Sequence, residues 1–457
     1  MSTPALDYAK EHREEFREEL QDFLRIPSIS TDPAYADDGR QAAHWLIAHL
    51  SSIGLKTELL EAEDRHPLVY AEHKAANEDA KTVLIYGHYD VQPALKSDGW
   101  ESEPFEPVAR DGKIYARGAT DDKGQTFAHI KAVESLLKSE KNLPVNVKFI
   151  IEGEEEAGSQ FIAQFVQEHP ERLAADVCVI SDSSMADIEQ PVILNALRGT
   201  ALFTLTVHGP KQDLHSGMFG GTVHNPLQAL AEIIAQLHDA DGKVAVPGFY
   251  DAVRKLTEAE REAIAQIPWD NVTWAEETGA PLPWGESDYT LRERVGARPT
   301  LEITGIAGGY YGEGFKSIVP QKALAKISCR LVADQKPDDI AEKFRKFIAK
   351  IAAPTVEVDV QYMGGAPASH VNIESPMMQA AISAYEKGWG QTPLFKREGG
   401  SIPIVGDLQT RLKLPVILMG FGLGSDNLHG PNEHFSIEMF HKGIDTAIWF
   451  LKEVAAL

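Results

Sequence analysis

The sequence predicts an α/β fold: a larger domain with a mixed, mostly parallel sheet flanked by helices, into which a ferredoxin-like α+β domain is inserted. Three observations carry that expectation. Short runs of Val, Ile and Leu alternate with longer helical stretches on either side of a central segment, as in a sheet covered on both faces. Between about Thr200 and Tyr362 the order becomes strand, helix, strand, strand, helix, strand, the β-α-β-β-α-β order of a ferredoxin-like unit. The composition, 457 residues with 43% hydrophobic and 25% charged, is globular and long enough for two or three domains. The boundaries fall at residues 1–198 and 366–457 for the larger domain and 199–365 for the insert.

In order along the chain, Phe16, Leu20, Phe23 and Leu24 recur at helical spacing among charges until Pro27, which predicts an amphipathic surface helix. Apolar runs at 83–86, 145–151, 177–180 and 416–419 read as strands of the larger sheet, and 125–137 and 161–167 as helices. The insert reads as strand 201–207, helix 226–237, strands 300–306 and 323–332, helix 338–351 and strand 355–362. Its second helix puts Ile340, Phe344, Phe347, Ile348 and Ile351 on one stripe behind Pro337. In its last strand Val356, Val358 and Val360 alternate with Glu357, Asp359 and Gln361, one face buried and one wet. Residues 239–298 read as irregular.

Charge excludes some partners. The 44 Lys and Arg stand against 68 Asp and Glu, a net −24, so the average surface repels phosphate backbones and anionic membranes. No nucleic acid and no membrane partner is expected. Residues 1–19 lack the apolar core of a signal peptide, and no apolar run approaches the roughly 20 residues of a membrane span. Cys178 and Cys329 lie in apolar runs and read as buried thiols in a reducing compartment. These features together predict a cytoplasmic protein.

The chemistry is concentrated after the strands of the larger domain. His88 and Asp90 follow the run 83–86, Glu152 to Glu156 follow 145–151, Asp182 follows 177–180, and a Gly-rich loop ending at His429 follows 416–419. A fifth group, Asp121-Asp122, precedes the helix near Gln125. Ligands of open α/β sheets bind beyond the carboxyl ends of the strands, so these groups can converge. Singly, each has a commoner role: a first-turn carboxylate for Glu154 to Glu156, an N-cap for Asp121, a turn for Asp182, a hydrogen-bonded histidine for His88 or His429. Together they crowd carboxylates in a way that calls for cations. Two imidazoles and three carboxylates exceed one tetrahedral zinc but divide over two ions. His88 with Asp182 would hold one, Glu156 with His429 the other, and Asp121 would bridge them. The mixed donors suit zinc, manganese or cobalt without choosing among them. Asp90, two residues from His88, should orient the imidazole, and Glu155 should face a bridging water as general base.

Five ordered blocks, GHYDVQP (Gly87 to Pro93), GATDDKG (Gly118 to Gly124), EGEEEAGS (Glu152 to Ser159), EGGSIP (Glu398 to Pro403) and NLHGPNE (Asn427 to Glu433), closely resemble the dinuclear metallopeptidases related to carnosinase, cytosolic nonspecific dipeptidase, carboxypeptidase G and aminoacylase. The resemblance implies a dipeptidase in which a metal-bridging hydroxide attacks the peptide carbonyl of a small peptide. It implies the same roles for His88, Asp121, Glu156, Asp182, His429, Glu155 and Asp90. It adds others: His215 reaching the partner subunit's active site of a homodimer as oxyanion donor, Arg330 gripping the substrate's terminal carboxylate with Ser317 and Ser401 assisting, and Glu398 favouring an unblocked ammonium. Gly364 departs from the pattern, standing where carnosinase-like relatives carry a His. An amidohydrolase of N-acyl amino acids is the alternative within the same chemistry. The Gly-rich runs 305–314 and 420–430 lack the nucleotide fingerprint and read as mobile loops.

Overall fold

A computed structural model describes residues 3–267, 269–400 and 402–457. They form two compact units: Met1–Asn195 with Val371–Lys396 and Asp407–Leu457, and Ala196–His370 with Arg397–Gly406.

In the first unit the strands Asn146–Glu152, Thr82–His88, Val177–Ile180 and Val416–Leu418 run parallel in that spatial order. Leu68–His73 and Lys56–Leu60 extend one side antiparallel, and Val192–Leu197 joins the other at Leu194. The four parallel strands are nearly all apolar because helices cover both faces. The helix Lys123–Glu140 is buried from Lys123 to Leu136 and lies against the C-terminal helix Ile437–Ala455. The helix Arg13–Leu24 is the amphipathic surface element its pattern suggested, with Glu14 and Asp22 exposed on its outer side. Phe16, Leu20, Phe23 and Leu24 are all fully buried, and Phe23 stacks on Trp45 with 4.7 Å between ring centroids. Each buried phenylalanine contributes roughly 1.5–3 kcal/mol, so this stripe belongs to the core.

The second unit carries a four-stranded antiparallel sheet in the spatial order Thr300–Gly308, Lys322–Leu331, Gly199–His208, Glu357–Ala366. Numbered along the chain that is 2-3-1-4, the ferredoxin-like order. Ala201, Phe203, Leu205 and Val207 point to one face, where they pack with Ile340, Phe344 and Ile348 of the helix Pro337–Ile351. The residues between 239 and 298 are not irregular. They contain the helices Glu258–Ala265, Asn271–Thr278 and Leu291–Ala297, the first and third opened by Thr capping boxes at Thr257 and Thr290. The helices are too short for a clear periodicity, which is why the sequence pattern concealed them.

Each Gly-rich run lies partly in a strand, and residues 309–314 and 424–430 are loop. Residues up to Gly308 complete a strand, and Gly422–Leu423 pairs with Ser184–Met185. The amides of Phe421 and Gly422 donate to Gln125 Oε1 at 2.6 and 3.1 Å. Cys178 and Cys329 are free, buried thiols. No helix among the described residues is long and apolar enough to cross a membrane.

Candidate metal centre

Strand register brings the first group together. Tyr86 pairs with Ile180 and His88 with Glu152, so Asp182, two residues past Ile180, comes level with His88 at the carboxyl end of the sheet. His88 is fully buried, and its Nε2 lies 3.1 Å from Asp121 Oδ1 and 4.0 Å from Asp182 Oδ2. His429 Nε2 lies 2.9 Å from Asp121 Oδ2 and 3.2 Å from Glu156 Oε1. Opposite oxygens of one carboxylate therefore meet the two imidazoles. The donor atoms of His88, Asp121 and Asp182, and those of Asp121, Glu156 and His429, lie within 4.8 Å of one another in each triad.

The electrostatics fit two cations. Burial, reinforced by the charge of Asp121, pushes Asp182 well above the usual carboxylate range. Burial disfavours the His88 imidazolium, yet hydrogen bonds to Asp121 and Asp90 raise it well above an ordinary histidine. Hydrogen bonds to Asp121 and Glu156 raise His429 to about 10. The same two imidazoles outweigh burial at Asp121 and hold it below the usual range. Donors that compete this strongly for positive charge, split into two triads sharing one carboxylate, suit a pair of divalent ions. A third group of possible ligands, Glu19, His49 and Glu134, already has its cation: the buried Lys131 ammonium reaches all three, at 2.7 Å from Glu134 and 3.0 Å from His49.

Glu155 belongs to neither triad. Burial, followed by the charges of Glu156, Asp90 and Asp121 and opposed by His88, raises it to about 7. Its neighbour Glu154 takes the bland role, accepting from the amides of His66 (3.0 Å) and Phe161 (3.3 Å) near the start of the helix Gln160–Glu168. Asp90 meets the His88 imidazole as expected and does more besides. His88 Nδ1 donates to the Asp90 main-chain oxygen at 3.0 Å, with the nearest carboxylate oxygen at 3.4 Å. The Asp90 carboxylate also accepts from the amides of Glu155 (3.2 Å) and Glu156 (3.0 Å) and from Ser30 Oγ (2.6 Å). It thus aims both glutamates, and the i,i+2 argument saw only half of its role.

In the second unit, His215 is exposed on the short strand Leu214–His215, paired with Ile318–Val319. Its Nδ1 accepts from Gly217 N at 3.0 Å, which leaves the proton of the neutral ring on Nε2. Ser317 is brought beside it, its carbonyl accepting from Ser216 N at 3.0 Å. Arg330 lies in register between Thr200 and Thr300, on the sheet face opposite the apolar core. Glu398 Oε1 accepts from Gly399 N at 2.9 Å, and Arg198 Nε donates to Gly399 O at 3.1 Å. Gly364 has φ +108°, a conformation that a histidine adopts only with strain. Ser401 lies outside the described residues.

Comparison with known proteins decides the family. A model of peptidase family M20/M25/M40 matches residues 84–453. The chain belongs to this family. It is 32% identical to the Cys-Gly metallodipeptidase dug1 of Schizosaccharomyces pombe over 461 residues, 97% of this chain and 96% of that one. Human carnosine dipeptidase 1 superposes with a TM-score of 0.83 at 30% identity, covering 99% of this chain and 98% of that structure. The M20 family metallo-carboxypeptidase Sso-CP2 of Sulfolobus solfataricus gives 0.85 at 33% identity, with 97% and 100% coverage. Hydrolysis by a metallopeptidase is thus the reaction class of this chain.

Within this M20 chain, several supporting residues escaped the sequence reading. Asp122 is fully buried and accepts from Thr126 Oγ1 (2.6 Å) and from the His88 amide (3.2 Å). Gly87 makes room for that contact, since a Cβ there would lie 1.8 Å from Thr126 Oγ1. Arg198, whose charge is felt by Arg330 and Glu398, is a third. The only available signals were an acidic pair where one ligand was needed and an arginine directly before a strand.

Proposed function

We propose that this metallopeptidase hydrolyses unblocked dipeptides at the crevice formed by His88, Asp121, Glu156, Asp182 and His429. The observation that carries the reading is the Asp121 carboxylate accepting one imidazole on each oxygen, with Glu155 beside both triads yet committed to neither. The names of the relatives support the substrate class. His88 and Asp182 would hold one divalent ion, Glu156 and His429 the other, and Asp121 both; zinc, manganese and cobalt all suit these donors. Such a pair, when bound, polarises a carbonyl and acidifies water.

The chain's own residues do the rest. Asp90 fixes the amides of Glu155 and Glu156 so that the Glu155 carboxylate takes the proton of the attacking water and passes it to the leaving amine. His215, with its proton on Nε2, is a donor for the developing oxyanion, supplied across a homodimer. Arg330 binds the terminal carboxylate, Ser317 and Ser401 assist, and Glu398 accepts from the free ammonium.

The test is a substrate panel on purified protein dialysed against a chelator and reconstituted with zinc, manganese or cobalt. A free dipeptide is expected to be cleaved only after metal is restored, and faster than its N-acetylated form or a tripeptide. Preference for the blocked compound would install the N-acyl amidohydrolase reading, and preference for the tripeptide a carboxypeptidase like Sso-CP2.

A further inference from the structure

The two imidazoles of the centre are held very differently. His88 ends a central strand and is fully buried. The His429 side chain is 55% exposed, sits at φ +58°, and meets Asp121 and Glu156. Little packing therefore fixes His429, and its place depends on how its loop is tied down. The tie comes four residues later. Glu433 is fully buried, and each of its oxygens accepts twice: Oε2 from Arg117 Nη1 (2.7 Å) and Gly118 N (3.0 Å), Oε1 from Thr120 N (3.0 Å) and Asp121 N (3.2 Å). Arg117 Nη2 also donates to Gly430 O at 3.3 Å, next to His429.

We propose that Glu433 is a positioning residue of the metal centre, wrapping the Asp121 loop around a carboxylate carried by the His429 segment and so setting the separation of these two side chains. This rests on the reading of Asp121 and His429 as ligands. The physical case is that a buried carboxylate with four donors, one of them a guanidinium, makes strong, directional, charge-assisted bonds. Three of the donors are amides of one loop, Gly118, Thr120 and Asp121 itself, so the carboxylate defines the path of that loop. Glu433→Gln keeps the volume, but its NH2 faces amide N–H groups and the Arg117 guanidinium, which leaves donors unpaired. Because Asp121 is shared by both triads, the two ions lose affinity together.

The experiment is titration of the metal-free full-length protein with zinc against a chromophoric chelator at 10 °C, where the folded fraction is verified by near-UV circular dichroism. Wild type is expected to bind two ions, Asp121→Asn to lose tight binding of both, and Glu433→Gln to weaken both by roughly 10–100-fold. Arg117→Met, which removes the side-chain tie from Gly430 and one of the four donors, is expected to weaken both ions less, and it serves if the Gln variant does not fold. Wild-type affinity in folded Glu433→Gln, or in folded Arg117→Met where only that variant folds, would overturn the proposal, even if melting temperature fell. Two tight ions in Asp121→Asn would instead overturn the ligand assignment.

Discussion

Glu155→Gln separates the chemistry from the metal scaffold. The substitution keeps the shape of the side chain and the amide that Asp90 Oδ1 holds at 3.2 Å, and it touches no member of either triad. Bound metal should therefore be unchanged. General-base catalysis by a positioned carboxylate contributes about 10²–10⁴ in rate, which is about 2.7–5.5 kcal/mol of barrier. The upper half of that range is expected, because the same side chain both takes and returns the proton. The effect should appear in kcat with KM nearly constant, since Gln still fills the site during substrate binding. The base works only when ionised, so wild-type kcat/KM should decline as pH falls through the Glu155 pKa. Burial and neighbouring carboxylates raise that value to about 7. Bound divalent cations draw it down, so the acid limb lies at or below pH 7 and vanishes in the Gln variant. The assay is ninhydrin or coupled detection of amino-acid release, with metal content by atomic emission on the same sample. Turnover within threefold of wild type, or parallel loss of metal and activity, would refute the assignment.

Two further outcomes are expected. If His215 serves the partner's site, refolding an equal mixture of the inactive Glu155→Gln and His215→Ala chains restores about a quarter of wild-type activity, because half the two-fold dimers are mixed and one site in each is complete; no recovery would remove His215 from that role. Asp445, on the helix Ile437–Ala455, is raised from 3.8 to about 6 by burial, opposed by Arg13. Its contribution to stability is present below pH 4 and lost as pH rises through 6. Asp445→Asn should therefore stabilise the protein by roughly 1–3 kcal/mol at pH 8 and not at pH 4, read from urea unfolding.

The sequence made legible whatever is written in periodicity or in strand-end position. The alternation of Val356, Val358 and Val360 located the last strand of the second unit, and the placement of His88 and Asp182 two residues past paired positions put them in one crevice. The first helix was legible in the same way, since Phe16, Leu20, Phe23 and Leu24 form its buried stripe and the charges between them face out. The roles of Asp90 and Glu433 were hidden. Their partners are main-chain amides, and a sequence records side chains, whereas any residue can supply an N–H. The layer that shapes this centre is mostly of that kind.

That layer also bears on how substrates are told apart. A lone carboxylate at Glu398 would draw an ammonium by its field, and salt would weaken the attraction. Glu398 instead lies within the electrostatic reach of Arg198 and Arg292, while Arg198 is bonded to the neighbouring Gly399 carbonyl. The field beyond such a cluster is that of a mixed group rather than of a single anion. If Glu398 takes the substrate ammonium as proposed, discrimination between a free and an acylated amine would come from directed hydrogen bonds to its oxygens, with Arg198 holding the adjacent Gly399 carbonyl. A preference for a free amine should then survive high salt.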